Sequence, residues 1–159
     1  MYIFYILATI FFVLGIILKM LNKNKINEST NNYLMLTNPM TKTELIFCKE
    51  LKKITDKYNL LIIPQIQLQK IFKVYNKKDI SSFNKIKAKS IDFAIVDNNY
   101  NYKMFIELDD YTHNKSNRIK RDIFINELFK KYNYKLIRIK VQNNYNLEQL
   151  ENIIKEVVN

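Results

Sequence analysis

The sequence predicts an α/β layered core preceded by a single membrane-spanning helix. Three observations carry that expectation: the order of the elements, two central strands that are apolar on both faces, and an uncharged apolar run at the N-terminus. The residue patterns give the order helix, strand, strand, strand, helix, strand, helix. In SIDFAIVD (Ser90–Asp97), Ile91, Phe93 and Ile95 alternate against Ala94 and Val96. A strand with two apolar faces needs cover on both, as between helical layers, and not in an open hairpin sheet.

The apolar run MYIFYILATIFFVLGIIL (Met1–Leu18) contains no charge. It matches the roughly 20 apolar residues that cross a bilayer. A cleaved signal peptide would have a basic start and a small-x-small cleavage site. No Lys or Arg precedes the run, and KMLNKNK follows it, so a retained anchor over residues 1–21 is expected. A buried core helix would show a polar face, and this run has none. Lys19, Lys23 and Lys25 lie just after it, which by the positive-inside rule puts the rest of the chain in the cytoplasm of a single-pass cell-membrane protein. Residues 22–38 are polar and Asn-rich and read as a linker. Residues 39–159 remain for the domain, enough for one core of ordinary size.

The domain's first helix is MTKTELIFCKELKKITDKY. Thr41 and Glu44 have capping-box spacing, and Phe47, Leu51, Ile54 and Tyr58 form its apolar stripe. NLLIIPQIQL is rich in strand formers, with Pro64 marking an edge or an end. QKIFKVYNKKDISSFNKIKAK reads as a short helix and then a basic loop. SIDFAIVD and KMFIELDD (Lys103–Asp110) read as a hairpin around NNYNY. SNRIKRDIFINELFKKYN is a helix and YKLIRIKV a strand. LEQLENIIKEVV is a final helix with Leu147, Leu150, Ile154 and Val157 on one face.

Composition narrows the chemistry. One Gly in 159 residues excludes Gly-rich phosphate loops, and one cysteine, Cys48, excludes disulfide frameworks and zinc ribbons. Cys48 sits on the inner side of its helix and reads as a small core residue. The balance of 26 Lys+Arg against 15 Asp+Glu favours nucleic acid or an anionic membrane surface as partner. Lys, Asn and Ile are abundant throughout, so charge alone selects neither.

The acids in the apolar strands are more specific. Asp92 lies inside its strand, and Glu107 and Asp109 share one face of the next. If the hairpin pairs directly, three carboxylates point at one patch of sheet, and a divalent cation is one way to offset that cost. Glu44 projects into the stripe of Phe47 and Leu51, as a cap residue or as a further acid over the sheet. Arg118 and Asp122 form an i,i+4 pair at the start of their helix, either a structural ion pair or part of the same patch. His113, the sole histidine, follows FIELDDYT and is a candidate general acid–base or metal ligand.

Taken together, SIDF, IELDD-x-x-H, R-x-x-R-D and the RI strand resemble a domain-of-unknown-function family. That family is grouped with the restriction-endonuclease-like PD-(D/E)xK superfamily, near the very-short-patch-repair-type endonucleases. The resemblance covers about Leu36 to Val141 and implies an αβββαβ core with a mixed sheet and helices on both faces. Asp92 matches the acid of the first strand motif, Glu107 the acid of the second, and Glu44 the helix glutamate beside the metal. Asp109, His113, Arg121 and Asp122 match positions of less settled role. The superfamily's second motif normally reads acid-x-Lys, and here the lysine position holds Asp109. Lys87, Lys89, Lys120 and Arg121 are the candidates to supply that charge, and His113 the candidate for the acid–base role.

Two functions are therefore expected. One is a membrane-anchored nuclease, with Mg²⁺ or Mn²⁺ held by Asp92 and Glu107 together with Asp109 and Glu44. Its phosphate backbone, expected to be DNA, would be held by Lys87, Lys89, Arg118, Lys120 and Arg121. Tyr100, Tyr102 and Tyr111 are candidates to stack on bases. No small-molecule cofactor is expected. The alternative is an inactive module of the same fold that binds nucleic acid or a protein partner at the membrane.

Overall fold

The computed structural model describes residues 2–30, 33–109 and 116–158, and within them the side chains of all but 22–30 and 116–118. The chain divides between Thr37 and Asn38 into two units. The first contains helix α1 (Tyr2–Thr30), in which Tyr2–Leu21 has a mean hydropathy of 2.4 and no burial. That stretch is long and apolar enough to span a membrane. The helix runs on from the apolar stretch into the polar segment read as a linker.

In the second unit, four strands form one mixed sheet in the order β1 (Leu61–Gln67), β2 (Ser90–Val96), β3 (Tyr102–Asp109), β4 (Lys135–Lys140). β1–β2 and β2–β3 are antiparallel. β3 and β4 are parallel, which requires a crossover, and helix α5 (Ser116–Lys131) lies in that connection. Pro64 lies within β1 opposite Phe93, tolerated because β1 is an edge strand. Asp97 shapes the β2–β3 turn by accepting from the amides of Asn99 and Asn101, each at 2.9 Å.

Each face of the sheet has its own apolar layer. On one, α2 (Lys42–Thr55) and α6 (Leu147–Val158) bring Phe47, Leu51, Ile54, Leu150 and Ile154 onto Phe93, Ile95, Met104 and Ile106. On the other, α5 brings Ile125 and Phe129 onto Ala94 and Phe105, with the Phe105 and Phe129 rings 4.7 Å apart. The expected stripes of α2 and α6 are thus the buried ones, although Tyr58 falls in a 3₁₀ turn (Asp56–Tyr58) after α2. Cys48 packs at the margin of the first layer, where burial pushes its thiol pKa up, as befits a packing residue.

One element differs from the sequence reading. After the short helix α3 (Leu68–Ile71), the segment read as a basic loop contains a further helix, α4 (Ile80–Lys87). Its N-cap is Asp79, whose carboxylate accepts from Ser82 N at 2.9 Å. Ile86 is its buried anchor, in the layer on the α5 side.

Candidate functional site

The candidate site begins with a break in the sheet at Asp92. β1 and β2 pair at Pro64↔Phe93 and again at Ile66↔Ile91, and the intervening Gln65 and Asp92 do not pair. Gln65 has φ 51, a left-handed conformation uncommon outside glycine and Asn. Ile62 packs on the α2 face and Ile63 on the α5 face, yet after Gln65 it is Ile66 that packs on the α5 side. Likewise Phe93 faces α2 while Ile91 faces α5. Side-chain alternation slips by one residue on both strands at this unpaired step, while the register of the ladder is kept on either side of it.

The β2–β3 ladder opens at the same place. Its last pair is Phe93↔Ile106, and one step further the same register would set Asp92 against Glu107. There the Asp92 carboxylate replaces a backbone acceptor: its Oδ2 takes the Leu108 amide at 2.7 Å. Burial raises the Asp92 pKa, that hydrogen bond opposes the rise, and the Glu44 charge adds to it.

Glu107 is the most constrained acid. It is only 7% exposed, and its Oε1 has no hydrogen-bond partner among the described residues. Two guanidiniums stand near it at ion-pair range, Arg121 Nη2 at 3.9 Å and Arg138 Nη1 at 4.0 Å. Even so its pKa is pushed up to about 7, chiefly by burial and then by the charge of Asp92. The arginines therefore do not compensate the buried charge. Arg121 Nε is likewise buried, with no hydrogen-bond partner among the described residues. Unpaired polar atoms of this kind call for an explanation, since most buried groups are satisfied.

Arg138 is the site residue that sequence reasoning passed over. It lies on β4 beside Glu107 in register. It reaches Asp109 Oδ1 at 3.3 Å, Asp122 Oδ1 at 3.4 Å and Asn126 Oδ1 at 3.4 Å. Asp109, at the expected lysine position, thus faces a guanidinium. Asp122 meets Arg138 as well, whereas the side chain of its expected partner Arg118 lies outside the described residues. A signal for Arg138 existed: in KLIRIK it is the one charge flanked on both sides by Ile, the anomaly that singled out Asp92 and Glu107.

Glu44 is the cap residue of α2, one of its two expected readings. Its Oε2 accepts from Thr41 N at 2.7 Å and completes the capping box, and its Oε1 accepts from Gln65 Nε2 at 2.9 Å. The start of α2 is thereby tied to the unpaired step of β1, and Glu44 acts on Asp92 through charge rather than contact. Lys89 lies near Arg121, and burial followed by that like charge lowers its pKa. Lys89 and Lys85 stand over the Phe124 ring at 5.7 and 5.9 Å, whereas Lys87 turns to Phe83 and Lys120 is exposed. Of the tyrosines, Tyr102 packs on Phe105, Tyr100 is exposed in the turn, and Tyr111 is outside the described residues, as is His113.

A hard cation fits what is present: oxygen donors from Asp92 and Glu107, one oxygen of Glu107 unpartnered, and a buried charge left uncompensated. Among the described residues no group of three or more Asp, Glu, His or Cys can hold an ion by itself. Mg²⁺ commonly takes only one or two carboxylates and completes its shell with water and substrate oxygens.

The fold and site define a mixed α/β domain with a buried carboxylate–guanidinium cluster where its central strands part. The chain belongs to the DUF2726 family of proteins of unknown function, whose family model matches residues 37–157. No curated protein and no solved structure matches it.

Proposed function

We propose that this protein is a membrane-anchored, metal-dependent nuclease-like protein of the PD-(D/E)xK type, acting on nucleic-acid phosphodiesters from the cytoplasmic side. The observation that supports this reading best is that Asp92 and the buried Glu107, whose Oε1 has no hydrogen bond among the described residues, come together where two strand ladders open. Carboxylates with strongly shifted pKa in such a place are hallmarks of functional sites. Bound Mg²⁺ or Mn²⁺ would supply charge for the scissile phosphate and lower the pKa of a water. Asp92 and Glu107 would hold the ion, with the Leu108 amide fixing the orientation of Asp92 and Gln65 that of Glu44. In the reaction, water oxygen bonds to phosphorus and the opposite P–O ester bond breaks. The attacking water loses a proton and the departing oxygen gains one.

The full chain in detergent micelles, incubated with single- and double-stranded DNA and RNA, tests this. Cleavage is expected with Mg²⁺ or Mn²⁺ and not with chelator. Asp92→Ala and Glu107→Ala should each lower it by roughly 100-fold or more, the scale of losing a charge-stabilising group. Cleavage that survives both substitutions would place the activity elsewhere. Binding without cleavage under every condition would favour the inactive module, a reading supported by Asp109 at the lysine position.

A further inference from the structure

Resting on that reading of the site, we propose that Arg138, held in place by Asp109, is the residue that contacts the substrate phosphate and supplies the charge missing from the acid-x-Lys pattern. Asp109 lies two residues after Glu107 on β3, where a lysine would project its own ammonium beside Glu107. An acid there removes that charge and at the same time attracts one from β4. The parallel register sets Arg138 beside Glu107, and its Nη1 lies 3.3 Å from Asp109 and 4.0 Å from Glu107. The acid–arginine pair thus returns a cation to the position that the substitution emptied.

The contacts of Arg138 suit a ligand-binding arginine better than a purely structural one. Its three side-chain hydrogen bonds among the described residues are long, 3.3 to 3.4 Å, and go to three different residues. None of these is a two-pronged pair with one carboxylate, the arrangement in which guanidinium binding is strongest. Its five donors form a planar fork that matches phosphoryl oxygens. The Arg138 side chain is 22% exposed, and the residue lines an open cleft of about 600 Å³ with Asn126, Lys130 and Lys135. Arg121 Nε, buried and with no hydrogen-bond partner among the described residues, is a second donor in the same cluster. The ligand is a phosphodiester oxygen of a nucleic-acid strand.

Binding of a fluorescent, hydrolysis-resistant phosphorothioate oligonucleotide to the full chain in micelles with Mg²⁺ tests the assignment. Arg138→Met should weaken binding about 10-fold, the effect of one charge-assisted contact. The slope of log affinity against log salt should fall by about one. Asp109→Lys combined with Arg138→Met restores the acid-x-Lys pattern and should recover binding, whereas Asp109→Asn combined with Arg138→Met should not. Wild-type affinity in Arg138→Met, equal recovery in both double variants, or no binding by the wild type would overturn the proposal. Where the methionine variant fails to fold, Arg138→Gln, which keeps a polar, uncharged donor at this position, is subject to the same expectation. The expected binding pattern with a native oligonucleotide left intact would reject hydrolysis and leave the phosphate contact standing.

Discussion

Glu107 is a carboxylate that the fold disfavours as an anion, and this has a measurable sign. Its folded-state pKa is about 7 against an ordinary 4.5, because burial and Asp92 outweigh two arginines. The native state therefore holds this proton more tightly than the unfolded chain does. The stabilising contribution is fully present below about pH 4.5 and is lost as pH rises through about 7, on the order of 3 kcal/mol in all. Glu107→Gln keeps the shape without the charge. Above about pH 8 it should be more stable than wild type by up to that amount, and near pH 4 no more stable, as read by denaturation of both proteins across pH. Excess Mg²⁺ should narrow the gap at high pH, since an ion that binds only the native carboxylate stabilises only the wild type. A gap that Mg²⁺ leaves unchanged would count against a metal at Glu107. The acids were legible in the sequence because a charge in an apolar strand is conspicuous. Arg138 carried the same signal, a charge flanked by Ile, but its place in the site depends on the parallel pairing that sets it beside Glu107.

Among the elements, those with long, regular patterns were the legible ones. β2 and β3, the stripes of α2 and α6, and the capping box of α2 all follow from periodicity. α4 was missed because only Ile80, Phe83 and Ile86 mark it, among lysines, and its start depends on one cap, Asp79. The unpaired step at Gln65 has no sequence signature, since nothing in IIPQIQ requires a left-handed glutamine. Gln65 is bonded to Glu44 of α2, so the cap of α2 is also part of the site's framework. Thr41→Ala removes the hydroxyl that accepts from Glu44 N at 3.3 Å. It should cost about 1 kcal/mol, and Thr41→Ser much less, in denaturation midpoints. α6 has its own tie to the end of α2, where Glu151 accepts from Lys57 and from Tyr58 at 2.7 and 2.8 Å. These bonds hold the Glu151 carboxyl at about 2, so their contribution persists above the ordinary carboxylate range and fades as pH falls toward that value.

At the scale of the whole molecule, the two units place opposite demands on solvent. The helix Tyr2–Leu21 exposes its full apolar surface, with Phe4 83% and Phe11 71% accessible, whereas the second unit buries two apolar layers. An uncovered surface of that size is not sustained in water. On the proposed reading a bilayer covers it, with Lys19 at its end toward the cytoplasmic leaflet. The full chain should then sediment with membranes and resist high salt and alkaline washing. Detergent should release it, whereas a chain lacking residues 2–21 should not sediment with membranes at all. Protease added to sealed inside-out vesicles should degrade the second unit, and protease outside right-side-out vesicles should spare it. Full digestion in right-side-out vesicles would reverse the orientation and remove cytoplasmic nucleic acid as the substrate. On the proposed reading, anchoring would tether the second unit to the membrane. A substrate strand would then meet it at high local concentration only where nucleic acid and membrane meet. Detachment from the membrane should therefore reduce the effect of the protein in cells far more than its activity toward free oligonucleotides.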